Sequence, residues 1–142
     1  MPDRFNLSRF VEAQRPVFSR VMAELHAGRK TSHWMWFVFP QVQGLGRSEM
    51  AQHFAISGVA EARAYLEHEV LGPRLESCVK AVLQHRGTST GQLFGTPDDL
   101  KFRSCLTLFM SVQTESTVYQ TALDQFFDGE PDRKTLLLLE AG

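Results

Sequence analysis

Apolar residues recur every three or four positions along most of the chain, which is the spacing of one helix face. The clearest stripe follows Pro16 and ends at Gly28, a residue suited to a helix stop. Another runs over residues 71–85, with Pro73 in the first turn, where a missing N–H costs nothing. A third follows Pro97 and is apolar around most of its circumference, which predicts a central buried helix.

Shorter helical patterns occupy most of the remaining chain. They are predicted over residues 6–15, 48–55, 59–66, 89–94, 117–127 and 132–139. The segment from Trp34 to Phe39 has β-propensity and could pair locally, but no run alternates apolar and polar residues between hairpin turns. The sequence therefore predicts an all-α fold, built as one domain over residues 1–142.

The start of the third stripe carries an unusual set of polar residues. We expect Thr96 to cap the helix and Pro97 to occupy its first position. Asp98 and Asp99 follow, where carboxylates are favoured by the positive end of the helix dipole. Farther along, deep burial is predicted for four apolar residues: Phe102, Leu106, Phe109 and Met110.

Lys101 does not fit this helix start, because a cation in the first turn opposes the helix dipole. A nearly apolar neighbourhood adds the cost of desolvating the charge. Lys101 therefore needs a negative partner, which can be Asp98, Asp99 or a bound anion. Ser104 lies three residues further on and is expected on the same side of the helix.

Composition and charge exclude several classes of function. The 142 residues include 15 Lys and Arg against 16 Asp and Glu, so the formal charge is −1 and no nucleic-acid partner is expected. No apolar run approaches the roughly 18–20 residues of a membrane span, so no membrane partner is expected. The first residues lack a secretory pattern, and we expect a cytoplasmic protein. The two cysteines show no CxxC spacing, and no metal site is predicted.

The most informative stretch runs from residue 28 to residue 48. Its first part supplies donors suited to phosphate, and the two tryptophans then offer flat faces for stacking. Gly44 and Gly46 allow close backbone approach before a helix start at Ser48, but they lack the third glycine and the strand of a dinucleotide fingerprint. We therefore expect no cofactor.

A structural interpretation of the same residues remains open. Aromatic side chains dominate protein cores, and this explains Trp36, Phe37 and Phe39 at least as well as a binding role. For Trp34 the two interpretations are balanced. Arg29 and the following lysine stand at a helix end, where cations are favoured without any ligand.

At these residues the chain resembles a known family, the bacterial domain-of-unknown-function family 1810. The resemblance extends from Phe10 to Leu136 and implies membership and fold rather than a reaction. Its motifs are Gly28-Arg29-Lys30-x-Ser32-His33-Trp34-Met35-Trp36-Phe37-Val38-Phe39-Pro40-Gln41-x-x-Gly44-Leu45-Gly46-x-Ser48, Ala62-x-x-Tyr65-Leu66-x-His68-x-Val70-Leu71-Gly72-x-Arg74-Leu75 and Asp99-x-Lys101-x-x-Ser104-x-x-Thr107-Leu108-Phe109.

A more distant similarity in layout links the chain to the NADAR (YbiA-like) family of mainly helical proteins. It implies ADP-ribose chemistry and N-glycosidic cleavage. The chain lacks the Glu-His followed by Gln and Lys that those glycosidases carry in their first third. Because an oxocarbenium-like transition state needs a nearby carboxylate, Asp99 is the expected catalytic group, with His33 beside it.

These observations predict one polar cleft that binds a small nucleotide-like ligand of the ADP-ribose type. His33, Trp34, Asp99 and Lys101 are expected around it, with Trp34 stacking on the ligand. The full set of expected ligand contacts is Lys30, Ser32, Trp34, Trp36, Gln41, Lys101 and Ser104. The alternative is a non-catalytic interaction module that uses the aromatic segment 33–41 as its binding face.

Overall fold

The structure is a computed structural model that describes residues 3–113 and 118–141. The all-α prediction is confirmed, since helices form the architecture and the β structure in these ranges is an isolated parallel bridge between Val42 and Ile56. The helices are α1 Ser8–Gln14, α2 Phe18–Ala27, α3 Met35–Val38, α4 Glu49–His53, α5 Val59–Glu67, α6 Leu71–Leu83, α7 Thr90–Phe94, α8 Asp98–Val112, α9 Val118–Phe127 and α10 Arg133–Ala141.

Helix α8 lies at the centre of the molecule and packs against α5, α7, α9 and α10. Phe102, Leu106 and Phe109 are fully buried, as the apolar circumference predicts. The predicted deep burial of Met110 is wrong, because this side chain is only half-buried. Met110 lies seven residues, about two turns, after half-buried Arg103, so both stand on the outer face of α8.

Several helix boundaries follow from local signals in the sequence. Ser48, Ser89 and Asp132 cap α4, α7 and α10, because their side-chain oxygens accept backbone N–H groups of the first turn. Gly28 adopts a left-handed conformation at φ +78° and ends α2. No helix in the two described ranges has the length and apolarity needed to cross a membrane.

Three local predictions need correction. Helix α8 begins at Asp98 rather than at Pro97, and among the described residues no side chain caps it, so Thr96 is not its cap. The segment from Trp34 to Phe39, for which the sequence allows local β pairing, instead contains the single helical turn α3. The predicted first residue of α9, Thr117, lies outside the described residues.

A half-buried arginine, Arg9, links α1 to the loop after α4. The Arg9 guanidinium donates to the carbonyl oxygens of His53 and Ala55, both at 2.9 Å, and pairs with Glu61 at 2.8 Å. Glu61 in turn accepts the Ser57 N–H and hydroxyl at 2.9 and 2.8 Å. Because both charges are largely shielded from water, these bonds hold residues 53–57 in one conformation. This loop forms one wall of the cavity described next.

Candidate functional site

A cavity of about 390 Å³ opens between the segment that contains α3, the loop around α4 and the first turn of α8. Its volume lies near the lower end of the range of about 300–1,000 Å³ typical of small-molecule pockets. The lining residues are Met35, Trp36, Phe39, Gln41, Val42, Gln43, Gly44, Gly46, Ala51, Gln52, Phe54, Ala55 and Lys101.

Backbone pairing shapes the wall of the cavity that residues 41–55 form. Ile56 donates its N–H to the Gln41 carbonyl at 2.9 Å and accepts the Gln43 N–H at 2.8 Å. These bonds close residues 42–56 into a loop whose inner side faces the cavity. Within it, a Cβ on Gly46 would overlap with the Cβ of Ala51, so this close approach requires glycine.

Three charged groups meet at one edge of the cavity. The Lys30 Nζ lies 2.8 Å from Oδ2 of Asp98, and the Lys101 Nζ lies 3.5 Å from Oδ1 of the same carboxylate. Lys30 is nearly buried, with 7% of its side chain exposed, whereas 29% of the Lys101 side chain is exposed. The carboxylate therefore binds Lys30 closely and Lys101 loosely, and Lys101 faces the cavity.

The remaining lining is apolar and amide in character. Among the described residues that line the cavity, Lys101 carries the charge. Its Nζ lies 5.9 Å from the ring centre of Trp36, within cation–π range. Gln41, Gln43 and Gln52 contribute amide groups, which both donate and accept hydrogen bonds. Such a lining can hold a flat polar ring beside one anionic group.

Glu24 anchors the segment that leads into the cavity. Its carboxylate accepts the N–H groups of Thr31 and Ser32 at 2.8 and 3.0 Å, the Ser32 hydroxyl at 2.6 Å and the Trp34 indole N–H at 3.0 Å. Burial raises the pKa of Glu24. The hydrogen bonds from Ser32, Thr31 and Trp34 lower it by more than burial raises it, so the pKa falls to about 2. Glu24 is thus a charged anchor for residues 31–34.

The structure brings the two sequence segments together, but only some of the expected ligand contacts line the cavity. Trp36, Gln41 and Lys101 do so. Lys30 does not line the cavity. Its Nζ donates to the Ser32 carbonyl at 2.6 Å and pairs with Asp98.

The expected roles of Trp34, Ser32 and Ser104 need correction. Trp34 is 1% exposed and has no free face on which a ligand could stack. The Ser32 hydroxyl is bonded to Glu24, outside the cavity lining. The Ser104 side chain is buried and donates to the Leu100 carbonyl at 3.1 Å, a bond within its own helix.

The two expected catalytic residues do not line the cavity either. His33 is exposed on the surface. Asp99 points toward the loop before α8, where its carboxylate accepts the Leu100 N–H at 2.9 Å and the Thr96 hydroxyl at 3.4 Å. The common cleft expected for His33, Trp34, Asp99 and Lys101 is therefore wrong in composition, and Asp98 is the carboxylate beside Lys101.

Sequence reasoning missed several residues of the cavity. Gln43, Gln52 and Phe54 line it but carry no local signal stronger than the Gln-x-Gln spacing after Pro40. Their convergence depends on the pairing of Val42 with Ile56, which brings distant parts of the chain together. Groups of three or more metal-ligating side chains do not occur in residues 3–113 and 118–141.

Comparison with known proteins places the chain in a family. A family model described as "Protein of unknown function (DUF1810)" matches residues 4–139. The crystal structure of the conserved hypothetical protein Rv1873 from Mycobacterium tuberculosis is similar to this chain at 48% identity and a TM-score of 0.95, covering 97% of this chain and 99% of that one. Among curated proteins no match was found. The NADAR resemblance gains no support here, and the chain belongs to the DUF1810 family.

Proposed function

We propose that the cavity binds a small nucleotide-like ligand and that Lys101 contacts its phosphate group. The observation that carries this proposal is the position of Lys101, a partly exposed cation at the wall of an otherwise uncharged cavity. A lysine in this position loses part of its hydration, and its charge opposes the dipole of α8. An anionic ligand would offset both unfavourable effects.

The charges around Lys101 favour an anion. Lys30 and Lys101 carry two positive charges, and Asp98 supplies one negative charge. Lys30 takes the short 2.8 Å contact, so Lys101 keeps ammonium donors for another partner. A phosphate oxygen would form a shorter and stronger bond than the 3.5 Å contact to Asp98.

The rest of the lining suits a base or a similar planar ring. Trp36 and Phe39 provide aromatic surface, and the glutamine amides can pair with ring nitrogens and carbonyl groups. The volume of about 390 Å³ matches one base with one ribose phosphate better than the larger ADP-ribose. We therefore narrow the ligand class to mononucleotide size.

This lining favours ligand binding over hydrolysis of a glycosidic bond. Glycosidic cleavage requires a carboxylate beside the sugar, and the described lining contains no aspartate or glutamate. Asp99 would have to leave its contacts with Thr96 and Leu100 to approach a ligand. N-glycosidase activity is accordingly not part of the proposal.

The alternative interaction module has less structural support. It requires the aromatic segment 33–41 to present its side chains to a partner. Trp34, Phe37 and Phe39 are buried, and Trp36 is only half-buried at the cavity. A binding face made of these rings would require α3 to leave the core.

The test is calorimetric titration with adenosine 5′-monophosphate, with adenosine as the uncharged comparison. We expect the wild type to bind the monophosphate more tightly than adenosine, and Lys101→Met to lose this difference while retaining its melting temperature. The matched control is Lys80→Met, because Lys80 also forms an ion pair within its helix, 3.7 Å from Glu76, but does not belong to the cavity lining.

Two results would contradict the proposal. One is a wild-type protein that binds neither compound. The other is equal loss of binding in Lys101→Met and Lys80→Met, which would indicate a general effect of net charge rather than a phosphate contact.

A further inference from the structure

We infer that Asp98 sets the charge of the ligand, so that the cavity selects one phosphate group over two or three. This inference rests on the proposed function, because it assumes that a phosphate contacts Lys101. Asp98 is then a specificity-determining residue that acts through its charge, although it does not itself line the cavity.

Asp98 is held where it must act on a ligand anion. Its Oδ2 is fixed by the 2.8 Å contact with Lys30, whose own Nζ also donates to the Ser32 carbonyl at 2.6 Å. Only 20% of the Asp98 side chain is exposed, so water screens its charge weakly. The carboxylate therefore stays beside Lys101 when a ligand enters, instead of rotating into solvent.

Distances bring the ligand within reach of this fixed charge. Oδ1 of Asp98 lies 3.5 Å from the Lys101 Nζ. A phosphate oxygen bound to that ammonium at about 2.8 Å would lie no farther than about 6 Å from Oδ1. Like charges at such distances disfavour each other, and burial strengthens the effect.

The charge balance at this edge then limits the ligand. Two lysines and one carboxylate leave one net positive charge, which is already less than the charge of about −1.5 to −2 that one phosphate monoester carries near pH 7. A second phosphate would add negative charge near Asp98, and Lys101 is the cation that the described lining offers. Affinity should therefore fall from mono- to di- to triphosphate, whereas a purely basic site would show the opposite order.

The experiment compares adenosine mono-, di- and triphosphate by calorimetry in magnesium-free buffer. Wild type should bind the monophosphate most tightly. Asp98→Asn should raise diphosphate affinity more than monophosphate affinity, and the ratio of the two should shift severalfold toward the diphosphate. Asp99→Asn is the matched control, because it removes the same charge from the same helical turn but contacts Thr96 and Leu100 instead of the lysines.

A second variant separates specificity from folding. Asp98→Asn deprives nearly buried Lys30 of its charge partner, and this can lower stability. The double variant Lys30→Met with Asp98→Asn removes both members of that pair and leaves Lys101 without a counter-charge. Its net charge at this edge equals that of wild type, so it should shift toward the diphosphate less than Asp98→Asn does, and a melting curve for each variant shows that it is folded.

The outcomes distinguish this inference from the proposed function. If neither wild type nor any variant binds any of the nucleotides, the proposed function fails and this inference fails with it. If wild type binds but already prefers the diphosphate, or if Asp98→Asn and Asp99→Asn shift the ratio equally, binding stands and the role of Asp98 is overturned.

Discussion

The Nζ of Lys30 lies 2.8 Å from Oδ2 of Asp98, and this contact ties the segment before α3 to the first turn of α8. It explains why the two polar groups that stand out in the sequence meet in space. The lysine amine also lies 5.0 Å from the Trp34 ring centre, so one side chain links the core aromatic residue to the edge of the cavity.

The centrality of α8 predicts a large cost for removing a core ring. Phe109 is fully buried between Tyr65 and Tyr119, with ring centres 5.2 and 5.9 Å away. We expect Phe109→Ala to lower the free energy of unfolding by about 3–5 kcal/mol, measured by urea denaturation. Leu100→Ala on the same helix should cost less than about 1 kcal/mol, because Leu100 is 55% exposed. Equal losses in the two variants would contradict the assignment of α8 as the central helix.

Glu24 predicts a dependence of stability on pH. Its pKa falls from an ordinary 4.5 to about 2 in the folded protein, so its contribution is complete above about pH 5 and is lost as the pH falls toward 2. The two pKa values correspond to about 3 kcal/mol of stability. Denaturation between pH 7 and pH 2.5 should therefore show a smaller loss for Glu24→Gln than for wild type.

The control for this measurement is Glu76→Gln. Glu76 is 53% exposed and pairs with Lys80 in the same helix, at 3.7 Å. Its removal should leave the pH dependence of wild type intact. If Glu24→Gln shows the same pH dependence of stability as wild type, Glu24 is not the charged anchor of residues 31–34.

The close approach of Gly46 and Ala51 predicts reciprocal size effects. Gly46→Ala places two Cβ atoms in overlap and should destabilise the protein by about 1–3 kcal/mol, with weaker nucleotide binding because the cavity wall moves. Ala51→Gly removes one of these Cβ atoms, and it should lower the free energy of unfolding by about 1 kcal/mol because glycine is unfavourable in a helix. The double variant should lose less stability than the two single variants together, as measured by a double-mutant cycle.

Gly58→Ala is the matched control for a glycine substitution. A Cβ at Gly58 would meet no atom within 4 Å, so this variant should retain the stability and the ligand affinity of wild type. Additive losses in the Gly46 and Ala51 cycle would mean that the overlap does not determine the position of the loop.

Local signals in the sequence account for much of the fold. Helix starts are predicted at residues 48, 89 and 132, and there the side chains of Ser48, Ser89 and Asp132 accept N–H groups of the first turn. The buried stripe of α8 could likewise be predicted from the residues of that helix alone. Such features involve neighbours in sequence, so periodicity and residue type are sufficient to predict them.

The site depends on contacts that no local pattern contains. Residues three apart are neighbours on a helix, so Asp98 lies beside Lys101, whereas Asp99 contacts Thr96 and the Leu100 N–H. Trp34 is in the core because Glu24, ten residues earlier, binds its indole N–H. The sequence thus indicated the two segments that converge, but it also placed Trp34 and Asp99 at the cavity, and neither of them lines it.

The two tryptophans provide the most direct test of a ligand site beside Trp36. Each indole N–H gives its own signal in a ¹⁵N-correlated NMR spectrum, and Trp36→Phe assigns them. Titration of adenosine 5′-monophosphate should shift the Trp36 signal until saturation and leave that of Trp34 unchanged, because Trp34 is buried against Glu24. A Trp36 signal that does not move at saturating nucleotide, or a shift confined to Trp34, would contradict the proposed site.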